Sequence, residues 1–285
     1  MMPILITGSN GLVGRSLAKE LRRQNFPIVT TSRKIGSDPD LCDYEADLCS
    51  GSQIDRVLSS QKMGTVIHAA GRIIANDLET YLQDNFYATQ NILLSSRNSG
   101  VKKFIYLSTI EVYENDGPYS EESQTQALSD YAKTKLATED LVLAASSPDF
   151  QTIVIRLAGV HGPERKSGVI YNFIKAAKKN EPIQILDPLS IFRLSFTADI
   201  SLGIKLILKT ENFTQAIYNM AGKEAVSLLD FARMAKRVTH SRSELICSEK
   251  VIGRNRDLRI DKISQDFGYF PLPTEIHLKS IASAI

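Results

Sequence analysis

Tyr131 and Lys135 stand four residues apart in the stretch Ser129-Asp130-Tyr131-Ala132-Lys133-Thr134-Lys135. The residues that follow, Leu136, Ala137, Glu139, Leu141, Val142 and Leu143, continue a helical pattern. On a helix, positions i and i+4 are neighbours on one face. That spacing sets a phenol beside an ammonium. A nearby positive charge stabilises phenolate and pulls a tyrosine below its ordinary value of about 10. A tyrosine so tuned can give a proton to a carbonyl oxygen, or take one from an alcohol, near neutral pH. By itself the pair carries little, because Tyr-x-x-x-Lys is also common on solvated helix faces. Its weight comes from where the rest of the chain places its glycines.

The run Pro3 to Thr7 is apolar and reads as a buried strand. Arg15 to Gln24 reads as an amphipathic helix. Between them lies Gly8-Ser9-Asn10-Gly11-Leu12-Val13-Gly14, a glycine turn of spacing G-x-x-G-x-x-G. Strand, glycine turn and helix form the first half of a dinucleotide-binding unit. Gly8 permits the turn, Gly11 lets backbone approach a pyrophosphate, and Gly14 lets the helix pack on the strand. Asn10, Leu12 and Val13 complete this cradle, and the helix N-terminus offers free N–H groups to the anion. A plain glycine-rich turn is the alternative.

Ile28 to Thr31 reads as a second strand, followed by Ser32-Arg33-Lys34. An NAD enzyme usually carries an acid here for the ribose 2′-hydroxyl. Two cations instead suit a 2′-phosphate. NADP is therefore the expected cofactor, with NAD as runner-up; a solvated basic turn is the bland alternative.

Further along, Glu45 to Leu48 reads as the end of a short third strand, and Ile54 to Lys62 as a helix. Gly64 to Gly71 reads as a fourth strand ending in His68, Ala69, Ala70 and Gly71, small residues against which a cofactor can lie. His68 itself reads as structural or as part of that shelf. Asp77 to Asn98 reads as one long helix carrying Asn85, and Lys103 to Leu107 as a fifth strand ending in Ser108-Thr109. The Tyr131 helix, capped by Ser129, and a sixth strand from Thr152 to Leu157 follow. Alternation of this kind predicts an α/β protein with a doubly wound parallel sheet of Rossmann type. After Gly159 the rhythm changes, to helices over Val169–Lys179, Leu228–Val238 and Glu275–Ala284 and short elements over Arg193–Ile200 and Tyr218–Gly222. The expected division is residues 1–159 for the cofactor and 160–285 mainly for a smaller substrate lobe, some of whose segments return to the first core.

Composition is ordinary for a soluble globular protein: 43% hydrophobic, 23% charged and a net charge of +2 over 285 residues. That charge gives no field for nucleic acid or an anionic membrane. Cys42, Cys49 and Cys247 have no metal-ligand spacing, and the histidines are scattered, so no metal is expected. No signal peptide or membrane span is apparent, and a reduced, cytoplasmic setting is expected.

Taken in order, these residues resemble the extended short-chain dehydrogenase/reductases, the NAD(P)-dependent sugar epimerase/dehydratase family. The resemblance rests on Thr7-Gly8-x-x-Gly11-x-x-Gly14, Asp47-Leu48, His68-Ala69-Ala70 and Asn85-x-x-x-Thr89. It continues through Tyr106-Leu107-Ser108-Thr109 with Val112-Tyr113, Tyr131-x-x-x-Lys135, Arg156, Gly162-Pro163, and Arg193 ahead of Asp199. It implies Tyr131 as acid/base, Lys135 bonding the nicotinamide ribose and lowering the Tyr131 pKa, and Thr109 holding the substrate oxygen. It also implies Asp47 and Leu48 flanking the adenine, Asn85 supporting the nicotinamide side, and Arg193 on the diphosphate of a nucleotide sugar. Dehydratases of this family carry Asp-Glu after the threonine; here Ile110 replaces the aspartate and only Glu111 remains, which argues against dehydration. Gly159 stands where many members have a substrate-binding asparagine. The expected activity is NADP-dependent reduction of a nucleotide-linked 4-keto-6-deoxy sugar. An NAD-dependent nucleotide-sugar 4-epimerase and a non-catalytic NADP sensor are the alternatives. The resemblance also implies a homodimer formed through the helices near Asp77–Asn98 and Tyr131–Ala145, with Ala132, Leu136, Leu143 and Ala144 as candidate contacts.

Overall fold

Ile4–Thr7 form the central strand β1, buried at every position. Its sequence does not alternate because both faces are covered, as a parallel sheet requires. The computed structural model describes residues 2–36, 38–113, 116–211, 217–249 and 251–285. The chain divides into two compact units. The first comprises residues 1–114, 124–157 and 204–218, and the second residues 115–123, 158–203 and 219–285.

In the first unit, β1 is joined by β2 (Ile28–Ser32), β3 (Tyr44–Glu45), β4 (Thr65–His68), β5 (Lys103–Thr109) and β6 (Gln151–Leu157). The strand order is Ile217–Met220, β6, β5, β4, β1, β2, β3, and the ladders joining β1 to β6 are all parallel. This is the doubly wound α/β sheet expected from the sequence. Thr7 pairs with Thr31 on one side and His68 on the other, so three strand ends lie level. The chain leaves β1 toward β2 and β3, then returns to the opposite side for β4. Such a reversal opens a crevice at the carboxyl ends of the strands, where ligands bind in these folds.

The covering helices are α1 (Leu12–Arg23), α2 (Gly51–Ser59), α3 (Leu78–Tyr81), α4 (Ala88–Asn98) and α5 (Asp130–Ala144). They bury Leu17, Val57, Ile92 and Val142, while Leu5, Val66, Phe104 and Val154 come from the sheet. Three expectations need correction. The third strand is only two residues long, and Ala46 to Leu48 lie beyond it. The helix expected from Asp77 to Asn98 is interrupted by a π-helical segment, Leu82–Tyr87, between α3 and α4. Ala132, expected to face a second copy, is already buried, while Leu136 and Leu143 are half-buried and Ala144 is exposed.

The second unit packs helices Val169–Lys178, Leu228–Val238 and Thr274–Ser283 around Phe173, Ile174, Phe196, Phe231 and Leu278. Where a short element was expected, Thr197–Lys209 is a helix of 13 residues. Asp261–Phe267 is a further helix that the sequence reading did not anticipate. Among the described residues, no helix is long and apolar enough to cross a membrane.

Candidate active site

The glycine turn is built by backbone packing. Gly8 has φ +71°, and a Cβ there would sit 2.7 Å from the Ala70 backbone. A Cβ on Gly14 would run into the Gly8 carbonyl oxygen. Side chains at either position would break the close backbone packing of the turn, and glycine at both fits a turn shaped to take a dinucleotide pyrophosphate. Gly11 N–H donates to the Gly8 carbonyl at 2.9 Å and closes the turn. α1 then starts at Leu12, earlier than the periodicity suggested, so Leu12, Val13 and Gly14 are its first turn.

A groove of about 710 Å³ opens on this turn. Gly8, Asn10, Gly11, Ser32, Arg33, Lys34, Leu48, Ala69, Ala70 and Gly71 line it, all expected from the sequence. Thr31, Ala46, Arg72, Ile73, Ile74, Asp84 and Ala88 line it as well and were not anticipated. Leu12, Val13, Gly14, Asp47, His68, Asn85, Tyr131 and Lys135 are not part of its lining.

Several of those residues support the lining from behind. His68 is buried, and its Nδ1 lies 2.7 Å from Thr7 Oγ1 and its Nε2 2.9 Å from Thr89 Oγ1. Thr89 donates its hydroxyl to the Asn85 carbonyl at 2.5 Å. Thr89 must then accept from Nε2–H, which leaves Nδ1 to accept from Thr7. Ala70 N–H donates to Thr7 Oγ1 at 3.3 Å, so the chain of donors runs unbroken from the β4 loop to α4. Burial, with Lys135 nearby, pushes His68 down to about 3, which keeps it neutral. It is a strut under the groove. Asn85 accepts from Arg72 N–H at 2.7 Å and donates to the Arg72 carbonyl at 3.0 Å. It therefore fixes the loop after β4.

Asp84, beside Asn85 in the π-helical segment, bridges two guanidinium groups. It accepts from Arg33 Nη2 at 2.6 Å and from Arg72 Nε. Asp47 Oδ1 lies 3.9 Å from Arg33 Nε and accepts from Cys49 N–H at 3.0 Å. Such π-turns recur at functional sites. Nothing local in the sequence pairs Asp84 with Arg33, because 51 positions separate them.

The candidate proton-transfer residues sit on β5 and α5. Ser129 caps α5 by accepting from Ala132 N–H at 3.1 Å, as its sequence position suggested. Thr109, at the end of β5, lies close enough to Tyr131 to act on its phenol. Burial pushes the Tyr131 phenol up to about 12, reinforced by the negative charge of Glu111 and by Tyr81, and Thr109 only partly offsets this. The sequence reading expected Lys135 to pull Tyr131 down, and that expectation is corrected here. The Lys135 ammonium instead donates to the Leu107 carbonyl at 2.7 Å and lies 4.1 Å from the centre of the Tyr106 ring. Burial brings Lys135 down to about 7, with Glu139 acting in the opposite sense. Tyr81, whose ring centre is 6.1 Å from that of Tyr131, and Glu111 are neighbours that residue spacing did not flag.

Glu139 and Arg156 form a pair that is 1% and 3% exposed at the side chains. Arg156 Nη2 donates to Glu139 at 2.6 Å and Nε donates at 3.1 Å, while Ser108 donates its hydroxyl to the same carboxylate. The Arg156 guanidinium also lies 4.7 Å from the Tyr113 ring centre.

In the second unit, Arg193 Nε donates to Asp257 at 2.6 Å and Nη1 donates to the Lys223 carbonyl at 2.5 Å. Asp199, which follows Arg193 in the sequence pattern, lies 2.8 Å from His277, whose ring stacks on Phe196.

A groove on a glycine turn at the strand reversal, with Tyr131 and Lys135 one turn apart on α5 and Thr109 ending β5, fits an NAD(P)-dependent enzyme of the short-chain dehydrogenase/reductase type. The chain belongs to the NAD-dependent epimerase/dehydratase family, whose model matches residues 4–221. It is 24% identical to the uncharacterized UDP-glucose epimerase YtcB of Bacillus subtilis, over 95% of this chain and 93% of that one. It is 25% identical to the dTDP-4-dehydro-6-deoxyglucose reductase of Escherichia coli, over 79% of this chain and 78% of that one. The structure is similar to MoeE5 in complex with UDP-glucuronic acid and NAD, with a TM-score of 0.84, 25% identity and coverage of 99% and 98% of the two chains.

Proposed function

We propose that the protein reduces the keto group of a nucleotide-linked 4-keto-6-deoxy sugar with NADPH. The observation that carries this reading is a protonated Tyr131 close to Thr109, which ends β5. A phenol held at about 12 keeps its proton at neutral pH and is the acid that a forming hydroxyl needs. When bound, the nicotinamide cofactor supplies the hydride. Thr109 holds the substrate oxygen, Tyr131 gives it the proton, and the Lys135 ammonium supplies positive charge on the same helix. Similarity to the E. coli reductase supports the substrate class.

Ser32, Arg33 and Lys34 in the groove support NADP as the preferred cofactor. Fluorescence titration should show tighter binding of NADPH than NADH. Arg33→Ala with Lys34→Ala should weaken NADPH about ten- to a hundredfold, the scale of lost charge-assisted hydrogen bonds, with little change for NADH. One observation favours the alternative, an NAD-dependent 4-epimerase: the Arg33 guanidinium is already engaged by Asp84 and lies near Asp47. Wild-type protein that prefers NADH would decide for that alternative.

Arg193 is proposed to bind the diphosphate of the substrate, since a planar guanidinium can serve Asp257 and a phosphate at once. Arg193→Lys should then raise KM for the nucleotide-linked sugar about ten- to a hundredfold and leave NADPH affinity alone. A fall in melting temperature with KM unchanged would assign Arg193 to the fold instead.

A further inference from the structure

Lys135, Glu139 and Arg156 are three ionisable side chains that are almost wholly withdrawn from water in one region of the first unit. Arg156 stays charged at any ordinary pH. Its side-on pair with Glu139, completed by Ser108, is close to neutral as a unit. Lys135 lies one helical turn before Glu139 on α5 and donates only to a neutral partner, the Leu107 carbonyl. Among the described residues, the region therefore holds two cationic side chains and one anionic one. The surplus positive charge belongs to the lysine that stands one turn after Tyr131.

The other described groups around Lys135 do not supply a counter-charge. Tyr106 on β5 presents its ring, and burial keeps its phenol protonated. His68 on β4 is neutral for the same reason. Tyr131 on α5 is protonated, and Glu111, after β5, acts on Tyr131. Tyr113 stacks on Arg156. Glu139 is the anion that acts on Lys135.

We propose that Glu139 is a positioning residue whose carboxylate, anchored by Arg156 and Ser108, favours the protonated state of Lys135, one helical turn after Tyr131. The anchor matters as much as the charge. Arg156 fixes the carboxylate in place but also offsets it, so the lysine feels a fraction of one negative charge. The ammonium is consequently poised to respond to a further negative charge in the site, including a developing phenolate on Tyr131. This inference concerns the charge state of Lys135; its relevance to turnover rests on the reading of Tyr131 as the acid.

The test reads the proton on Lys135 directly, by NMR titration of protein labelled with 15N at lysine Nζ, with Lys135→Arg to assign the signal. Lys135 should titrate near 7 in the unmodified protein. Glu139→Gln leaves two unbalanced cations and should lower that midpoint by about one pH unit or more. Glu139→Gln combined with Arg156→Met removes one charge of each sign and should return the midpoint most of the way. Breaking half of a buried pair endangers folding, so Glu139→Asp is measured in parallel. Its charge is kept but drawn back by one methylene, and a smaller shift in the same direction is expected. An unmoved midpoint in folded Glu139→Gln, or in Glu139→Asp where the first variant does not fold, would overturn the proposal. A double variant shifted as far as the single one would do the same. Failure of the reductase reading is distinct: the midpoints would move as stated while Tyr131→Phe kept its turnover.

Discussion

Tyr131→Phe is expected to lower turnover by roughly 10²–10⁴-fold, the usual scale of general acid catalysis. Fold and NADPH affinity should be unchanged. The substitution deletes one oxygen from a half-buried ring and leaves the packing against α3 in place. Thr109 keeps a second role, because its Oγ1 also accepts from Glu111 N–H at 3.2 Å. The loss should therefore appear in kcat and kcat/KM together, as it does when an interaction made in the transition state is removed. NADPH absorbance with a nucleotide-linked keto sugar provides the assay. Turnover near that of the unmodified protein would remove Tyr131 from the mechanism. The pH profile adds a second constraint. A phenol near 12 stays protonated through neutral pH, so reduction should not lose its acid between pH 6 and 9 through ionisation of free Tyr131.

Arg156→Met should destabilise the protein by about 3–5 kcal/mol, the cost of leaving one member of a buried ion pair unpaired. Glu139 would keep only Ser108 as a donor among its described contacts, in a site almost closed to water. Surface pairs such as Arg23 with Glu20 offer the contrast. That arginine is 72% exposed at its side chain, and its loss should leave stability nearly unchanged. Urea unfolding checks both, read as a shift in midpoint at unchanged slope. Removing Glu139 together with Arg156 should recover much of the loss, because no orphaned charge is left behind. A single variant as stable as the parent would mean that water reaches the pair.

The elements legible in the sequence were those specified by neighbours along the chain. The strand–glycine turn–helix unit could be read because Gly8, Gly11 and Gly14 answer backbone requirements within one turn. The start of α5 was legible because the Ser129 cap and the Tyr131–Lys135 spacing are local geometry. Leu228–Val238 was found with its observed boundaries for the same reason: an apolar stripe at helical period, with Ser227 capping it. The helix Thr197–Lys209 escaped notice because Ile200, Ile204, Ile207 and Gly203 lower helix propensity. Its formation is a matter of burial, and a Cβ on Gly203 would come within 2.5 Å of Met220.

The chemistry of the site divides in the same way. The sequence determined which side chains could act: Tyr131, Lys135, Thr109 and the glycine cradle. It could not determine their charge states. Proximity of Lys135 in sequence suggested a lowered Tyr131, yet burial and Glu111 dominate and raise it, because desolvation depends on everything packed around a group. Tertiary structure alone joined Asp84 to Arg33 and Arg72, Glu139 to Arg156, and Arg193 to Asp257. Charged side chains carry no periodicity that names their partners. Those partners are chosen by the sheet order and helix positions that bring distant carboxylates and guanidiniums within about 3 Å in a region poor in water.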